Sequence, residues 1–84
     1  MTNNQTANLY EANKTSMFQV ISVPNITLLE SLGLRTGTNV TIQNRYAFGG
    51  PVLLRVEEAY SVAVGKDIAK QIVVREITNN EYLP

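Results

Sequence analysis

The chain has 84 residues, with seven Lys and Arg balanced by seven Asp and Glu, and it contains neither Cys nor His. This length predicts one domain, which buries only about 60% of its unfolded surface. The composition excludes disulfides and thiolate metal sites, removes the commonest general base, and argues against catalysis and against a nucleic-acid partner.

The first segment, residues 1–16, is polar and rich in Asn and Thr. Such a composition predicts a flexible N-terminal arm. Leu9 and Tyr10 form the only apolar pair in it, and this pair either stays free or docks on the domain. The arm also lacks the basic start and apolar stretch of a signal peptide, and no apolar run in the chain reaches the roughly 20 residues of a membrane helix. We therefore expect a cytoplasmic protein.

The domain is predicted to span residues 17–77 and to begin with a strand over Met17–Val23, rich in apolar and β-branched residues. Thr27 and Glu30 have the spacing of a capping box, which predicts the start of a short helix. Gly33 supplies the left-handed residue that ends a helix. The helix is expected to close one end of the domain with its apolar side, formed by Leu28, Leu29 and Leu32.

Four further strands are predicted from alternating apolar and polar residues, over Thr38–Tyr46, Pro51–Glu57, Tyr60–Val64 and Lys70–Ile77. A single helical turn precedes the last of them, and the polar residues 78–84 form a C-terminal tail. A sheet this small cannot leave its edges open, so these strands predict a closed barrel. The expected core is Val20, Leu32, Val40, Ile42, Val52, Leu54, Val56, Val62, Val64, Ile68, Ile72 and Val74.

Three blocks of sequence, LLESLGLRTGTNVTIQNR, GGPVLLRV and YSVAVGKDIAKQIVV, follow one another in this order. Together they resemble the FeoA-like domain over about residues 18–77. The resemblance implies a mainly β fold, a five-stranded SH3-like barrel with one short helix and a single helical turn. The same barrel forms the C-terminal domain of iron-dependent repressors, but no winged-helix segment precedes it here, so we expect the standalone form.

The resemblance also implies a function. FeoA-like domains accompany ferrous iron transport, so the chain is expected to be a non-catalytic adapter that needs no cofactor. Its partner would be the cytosolic GTP-binding domain region of the membrane ferrous iron permease. The chain would then lie at the inner membrane through this partner.

The candidate partner-binding site is the turn between the second and third predicted strands, together with the start of the third strand. Two interpretations remain open. In one, the glycines supply positive φ for a hairpin, the proline opens an edge strand, and the aromatic residues cover the barrel mouth. In the other, the aromatic residues are exposed anchors for a protein partner. The residues concerned are Tyr46, Phe48, Gly49, Gly50, Pro51 and Leu53.

An outward apolar row of Leu53, Ala63 and Val73 is expected from the same alternation. This row either lies under the N-terminal arm or forms a docking surface, for the partner or for a second copy of the chain.

Two alternatives concern charged residues. In the first, the chain is a small regulatory barrel that binds a divalent metal ion. Its oxygen ligands would come from Glu57, Glu58 and Asp67. Arg45 and Arg55 could lie on neighbouring outer positions and contact nucleic acid, although such a surface would need a more basic chain.

Overall fold

The computed structural model describes residues 6–77, and within this range six strands form one antiparallel sheet with two short helices between them. The strands follow one another across the sheet in the order β1-β6-β2-β3-β4-β5. The predicted mainly β fold is confirmed, and each of the five predicted strands is present. The elements are β1 (Thr6–Asn8), β2 (Met17–Ser22), α1 (Thr27–Ser31), β3 (Asn39–Arg45), β4 (Val52–Val56), β5 (Tyr60–Val64), α2 (Lys66–Ala69) and β6 (Val73–Ile77).

The sixth strand, β1, lies in the segment that was predicted to be a flexible arm. It pairs with β6, and directly after it Leu9 is fully buried, with its amide donating to the carbonyl of Ile72 at 2.9 Å. Residues 6–16 therefore belong to the domain, and the arm prediction is wrong for them. The physical reason is that β6 has an outer edge whose backbone groups need partners. Residues 1–5 and the predicted tail over residues 78–84 lie outside the described part of the chain.

The core lies between the inner faces of the strands, and most of its predicted members are buried. Three predicted core residues, Leu32, Val62 and Ile68, are only partly buried and pack against its margin. Several residues that the alternation did not identify complete the core. The buried apolar set is Leu9, Ala12, Phe18, Val20, Leu29, Leu34, Val40, Ile42, Val52, Leu54, Val56, Val64, Ala69, Ile72 and Val74.

The start of α1 differs from the predicted capping box. Ile26 is the N-cap residue, no side chain caps the helix, and Thr27 is already the first helical residue. The expected inward leucine face is also reduced, because Leu29 is buried whereas Leu28 is 58% exposed. A five-residue helix makes little more than one turn, so neighbouring leucines point in different directions. Neither helix of residues 6–77 is long and apolar enough to cross a membrane.

The end of α1 follows the prediction. Gly33 has a φ of +84°, and its amide donates to the carbonyl of Glu30 at 3.0 Å. The amide of Leu34 donates to the carbonyl of Leu29 at 2.9 Å. These two bonds form a Schellman motif, and the buried side chains of Leu29 and Leu34 supply its apolar contact. The motif turns the chain back toward the sheet and fixes the start of β3.

Candidate functional site

The connection between β3 and β4 is a tight turn over residues 47–50. The amide of Gly50 donates to the carbonyl of Ala47 at 3.2 Å, and the two central residues, Phe48 and Gly49, have φ values of 61° and 78°. Positive φ at both central positions is typical of a type I′ turn, whose twist matches that of the flanking strands. Gly49 therefore has the predicted role, but Phe48 takes the other left-handed position that was expected for Gly50.

Gly50 is needed for space rather than for its φ. A Cβ at this position would stand 2.9 Å from the Cβ of Tyr46 and 3.2 Å from the carbonyl oxygen of Ala47. The turn is closed further by the amide of Tyr46, which donates to the carbonyl of Pro51 at 3.1 Å. Pro51 precedes β4, which lies between β3 and β5, so the prediction that it opens an edge strand is wrong. The Ala47–Gly50 and Tyr46–Pro51 hydrogen bonds close the turn between β3 and β4.

The side chain of Phe48 stands away from the domain, with a relative exposure of 105%, and Tyr46 is 46% exposed. Phe48 therefore covers no part of the domain, and the interpretation in which it covers the barrel mouth is wrong. An L-residue in the left-handed region costs about 1–2 kcal/mol relative to the right-handed helix region. Phe48 carries this cost and buries no side-chain surface in return within its own fold. Residues held in such sparsely populated backbone regions cluster at functional sites, so Phe48 is a candidate contact for another molecule.

Leu53, the remaining predicted site residue, is half-buried on β4 and lies opposite Ala63 of β5. On its other side it lies opposite Asn44 of β3, two residues before Tyr46. The predicted apolar row of Leu53, Ala63 and Val73 is nevertheless not continuous. Val73 lies on β6, where it pairs with β1 and β2, and the strands β2 and β3 separate β6 from β4. The outer apolar surface near the turn is therefore limited to the β4–β5 side.

Lys66 adjoins the turn, and Tyr10 links it to a second lysine, Lys70. The ammonium groups of Lys66 and Lys70 lie 5.4 Å and 5.9 Å from the centroid of the Tyr10 ring. The Cδ and Nζ atoms of Lys66 also lie 3.8 Å and 3.9 Å from the position that a Cβ on Gly49 would take. We call Phe48, Gly49, Tyr10, Lys66 and Lys70 together the Phe48 surface. The i,i+4 spacing of the lysines was visible in the sequence, but the position of Tyr10 depends on the unpredicted strand β1.

The acidic residues proposed as metal ligands lie elsewhere. Glu57 and Glu58 form the β4–β5 turn, at the other end of β4 from Phe48, with φ values of 51° and 59°. The Oε2 atom of Glu57 accepts a hydrogen bond from the amide of Asn39 at 3.1 Å. Asp67 lies in α2. Within residues 6–77, no three Asp or Glu side chains converge as metal ligands, so the placement of these residues does not support the predicted metal site.

The two arginines proposed for nucleic acid also lie apart. A bulge in β3 shifts its register and places Arg45 opposite the buried Val52. Residues directly opposite in an antiparallel pair share a face, so Arg45 turns inward, where its Nη2 donates to the carbonyl of Ala12. Arg55 instead donates to the carbonyl of Glu58 at 3.3 Å. The predicted outer arginine pair is therefore wrong.

Comparison with known proteins agrees with this fold. The sequence matches the FeoA domain over residues 8–76, which is most of the chain. The chain belongs to the FeoA domain family. FeoA domains are small accessory domains linked to iron uptake and are not a known family of enzymes. The match starts within β1, in agreement with the finding that this strand is part of the domain.

Solved structures of FeoA proteins share the SH3-like fold. A crystal structure of an iron uptake regulatory protein, FeoA, has a TM-score of 0.76 and 24% identity, over 87% of this chain and 99% of that one. The FeoA-like protein from Clostridium acetobutylicum has a TM-score of 0.73 and 28% identity, over 94% of this chain and 93% of that one. The predicted SH3-like barrel is thereby confirmed.

The fold also occurs as one part of longer proteins. A manganese-dependent transcriptional repressor has a TM-score of 0.77 and 16% identity, over 92% of this chain but only 45% of the repressor. At this identity the likeness concerns the fold alone. No curated protein matches the sequence.

Proposed function

We propose that this FeoA domain is a non-catalytic accessory protein of bacterial ferrous iron transport. It acts in the cytoplasm and docks through the Phe48 surface on the cytosolic part of the ferrous iron permease, which holds it at the inner membrane. The link of the family to iron uptake supports the process. The single observation that supports docking is Phe48, fully exposed and in a left-handed conformation.

The energetics of the turn favour a binding role. Aromatic residues are enriched among the few that dominate binding energy, particularly where they fill a pocket on the partner. The turn holds Phe48 on a backbone fixed by the Ala47–Gly50 and Tyr46–Pro51 hydrogen bonds. A side chain presented in this way loses little backbone freedom on binding. Leu53 and Tyr46 would add contact area at the margin.

The chemistry of the chain favours binding over catalysis. The sequence has no His and no Cys, and acidic groups do not converge within the described residues. General acid–base and nucleophilic mechanisms need such groups within hydrogen-bonding reach of one another. In this proposal the chain needs no cofactor of its own.

The test is a calorimetric titration of the purified cytosolic GTP-binding domain of the cognate permease. The chain is compared with Phe48→Ala and with Leu28→Ala as a matched control. Leu28 is also exposed, and it lies on α1, away from Phe48. The C-terminal end of α1 contacts Tyr60, the first residue of β5, whereas the Phe48 turn lies near the last residue of β5. We expect Phe48→Ala to weaken binding by about tenfold or more and Leu28→Ala to leave it unchanged.

Two results would contradict the proposal. The unmodified chain, correctly folded by circular dichroism, could show no binding to the cytosolic domain. Alternatively, Phe48→Ala could bind as tightly as the unmodified chain.

A further inference from the structure

We infer that the Phe48 surface recognises a partner site in which carboxylates border an apolar pocket. Phe48 fills the pocket, and Lys66 and Lys70 bind the carboxylates. This inference rests on the proposed function and adds the chemistry by which the partner is recognised.

The two lysines are arranged as a pair. They stand four residues apart, at the first residue of α2 and at its C-cap, so they lie on the same face of the helical turn. Tyr10 lies within 6 Å of both ammonium groups, a distance at which the ring face attracts a cation. The ring therefore restricts both side chains before any partner arrives, and less rotamer freedom is lost on binding.

Lys70 is exposed and Lys66 is half-buried. Among residues 6–77, neither lysine forms an ion pair. Asp67 follows Lys66 in α2, but adjacent helical residues do not face each other. Glu11 follows Tyr10 and is exposed, with its amide bound to Asn8. A carboxylate from outside the domain would be the counter-charge for the pair.

One of the two cations, Lys66, is adjacent to the turn that carries the apolar anchor. The side chain of Lys66 runs against the backbone of Gly49, the residue that follows Phe48. The surface thus presents an exposed benzyl group with positive charge at its edge. Interfaces commonly combine an apolar centre with a polar rim, where rim charges set the association rate and its salt dependence.

An acidic protein site fits this surface better than a membrane or a second copy does. Segments that bind anionic membranes carry about four to eight Lys and Arg, whereas this surface has two and the chain has no net charge. In a two-fold dimer the same patch meets itself, so the lysines of both copies would oppose one another. A partner with carboxylates beside its pocket meets neither difficulty.

The experiment measures the Kd for the permease's purified cytosolic GTP-binding domain over a range of NaCl concentrations. The variants are Lys66→Gln with Lys70→Gln, Phe48→Ala, and Arg35→Gln as a control. Arg35 precedes β3 and lies at the opposite end of that strand from the Phe48 turn. We expect the double lysine variant to bind about fivefold more weakly at low salt, with a flatter salt dependence. Phe48→Ala weakens binding at every salt concentration and keeps the slope, and Arg35→Gln matches the unmodified chain.

The outcomes separate this inference from the proposed function. If Phe48→Ala abolishes binding while the double lysine variant keeps both affinity and salt slope, docking stands and the acidic partner site is wrong. If the unmodified chain does not bind the domain, both are wrong. Binding instead to vesicles of equimolar phosphatidylcholine and phosphatidylglycerol, or Phe48-dependent self-association in sedimentation, would also overturn the inference.

Discussion

The hydroxyl group of Tyr60 lies too close to the position of a Cβ on Gly33 for both to be accommodated, and it donates a hydrogen bond to the carbonyl of Leu32 at 2.7 Å. Gly33 is thus required for two independent reasons, its φ of +84° and the position of the Tyr60 hydroxyl. The contact joins the C-terminal end of α1 to β5. It also satisfies a carbonyl at a helix end, where intrahelical partners are missing.

A double-mutant cycle measures this relationship. Tyr60→Phe is expected to lower the free energy of unfolding by about 1 kcal/mol, the usual value of one hydrogen bond. Gly33→Ala alone should cost more than about 2 kcal/mol, because the left-handed penalty and the clash add. In the Tyr60→Phe background the ring carbon Cζ stays 3.5 Å from the new methyl group, so only the left-handed penalty of about 1 kcal/mol remains.

The control for this cycle is Gly37→Ala, where φ is +97° and a Cβ would meet nothing within 4 Å. It should cost about 1 kcal/mol with or without the Tyr60 hydroxyl. Urea unfolding followed by circular dichroism gives all the values. Additive effects of Gly33→Ala and Tyr60→Phe would show that the hydroxyl does not restrict Gly33.

Replacing Phe48 should separate stability from binding. Asn tolerates the left-handed region better than other non-glycine residues, and the exposed Phe48 side chain loses no packing when it is removed. Phe48→Asn is therefore expected to raise the free energy of unfolding by about 0.5–1 kcal/mol while weakening binding to the permease domain. Phe48→Ala keeps the cost of an L-residue in the left-handed region, so it should leave the free energy of unfolding unchanged. A loss of stability in Phe48→Asn would argue that the ring packs against the domain.

The N-terminal segment should contribute to global stability. Leu9 is fully buried, and truncating a buried Leu to Ala costs about 2–5 kcal/mol. We expect Leu9→Ala to lower the free energy of unfolding within this range in chemical denaturation. The neighbouring exposed Glu11→Ala should change it by less than about 0.5 kcal/mol. Equal, small effects of both substitutions would support the flexible arm that the sequence predicted.

The β4–β5 turn offers a further test of backbone strain. Glu58 has a φ of 59° and an exposed side chain. Glu58→Gly should raise the free energy of unfolding, by about 0.5–1 kcal/mol after the entropy of the unfolded chain is included. Glu58→Ala, which removes the same carboxylate but keeps the penalty, is expected to be neutral. Thermal unfolding of the two variants in parallel provides the comparison, and a destabilised Glu58→Gly would contradict it.

The sequence predicted those features that depend on local pattern. Alternating β-branched residues identified β3 and β4, because one face of each strand is buried. Gly33 identified the end of α1, because few residues other than glycine adopt its φ. The exposed turn was located from its glycines, although the backbone role expected for Gly50 belongs to Phe48.

The features that were missed depend on contacts distant in sequence. Strand β1 has only three residues, Thr6–Asn8, and is ordered by the edge of β6 rather than by its own propensity. The inward turn of Arg45 results from a bulge, which a period-two pattern cannot show. The contact of Tyr10 with Lys66 requires both the first segment and α2 to be in place. Part of the candidate site was therefore invisible to local reasoning.

Strand β6 lies between β1 and β2, so it joins the two earliest strands of the described chain through their backbone groups. Contacts that span most of a chain slow folding, because a long loop must close before they form. On the ribosome, β1 cannot join the sheet, and β2 lacks one of its two neighbours, until residues 73–77 have emerged from the exit tunnel. Until then β2 and the buried side chain of Leu9 lack their final neighbours, so a truncated nascent chain should remain susceptible to proteases.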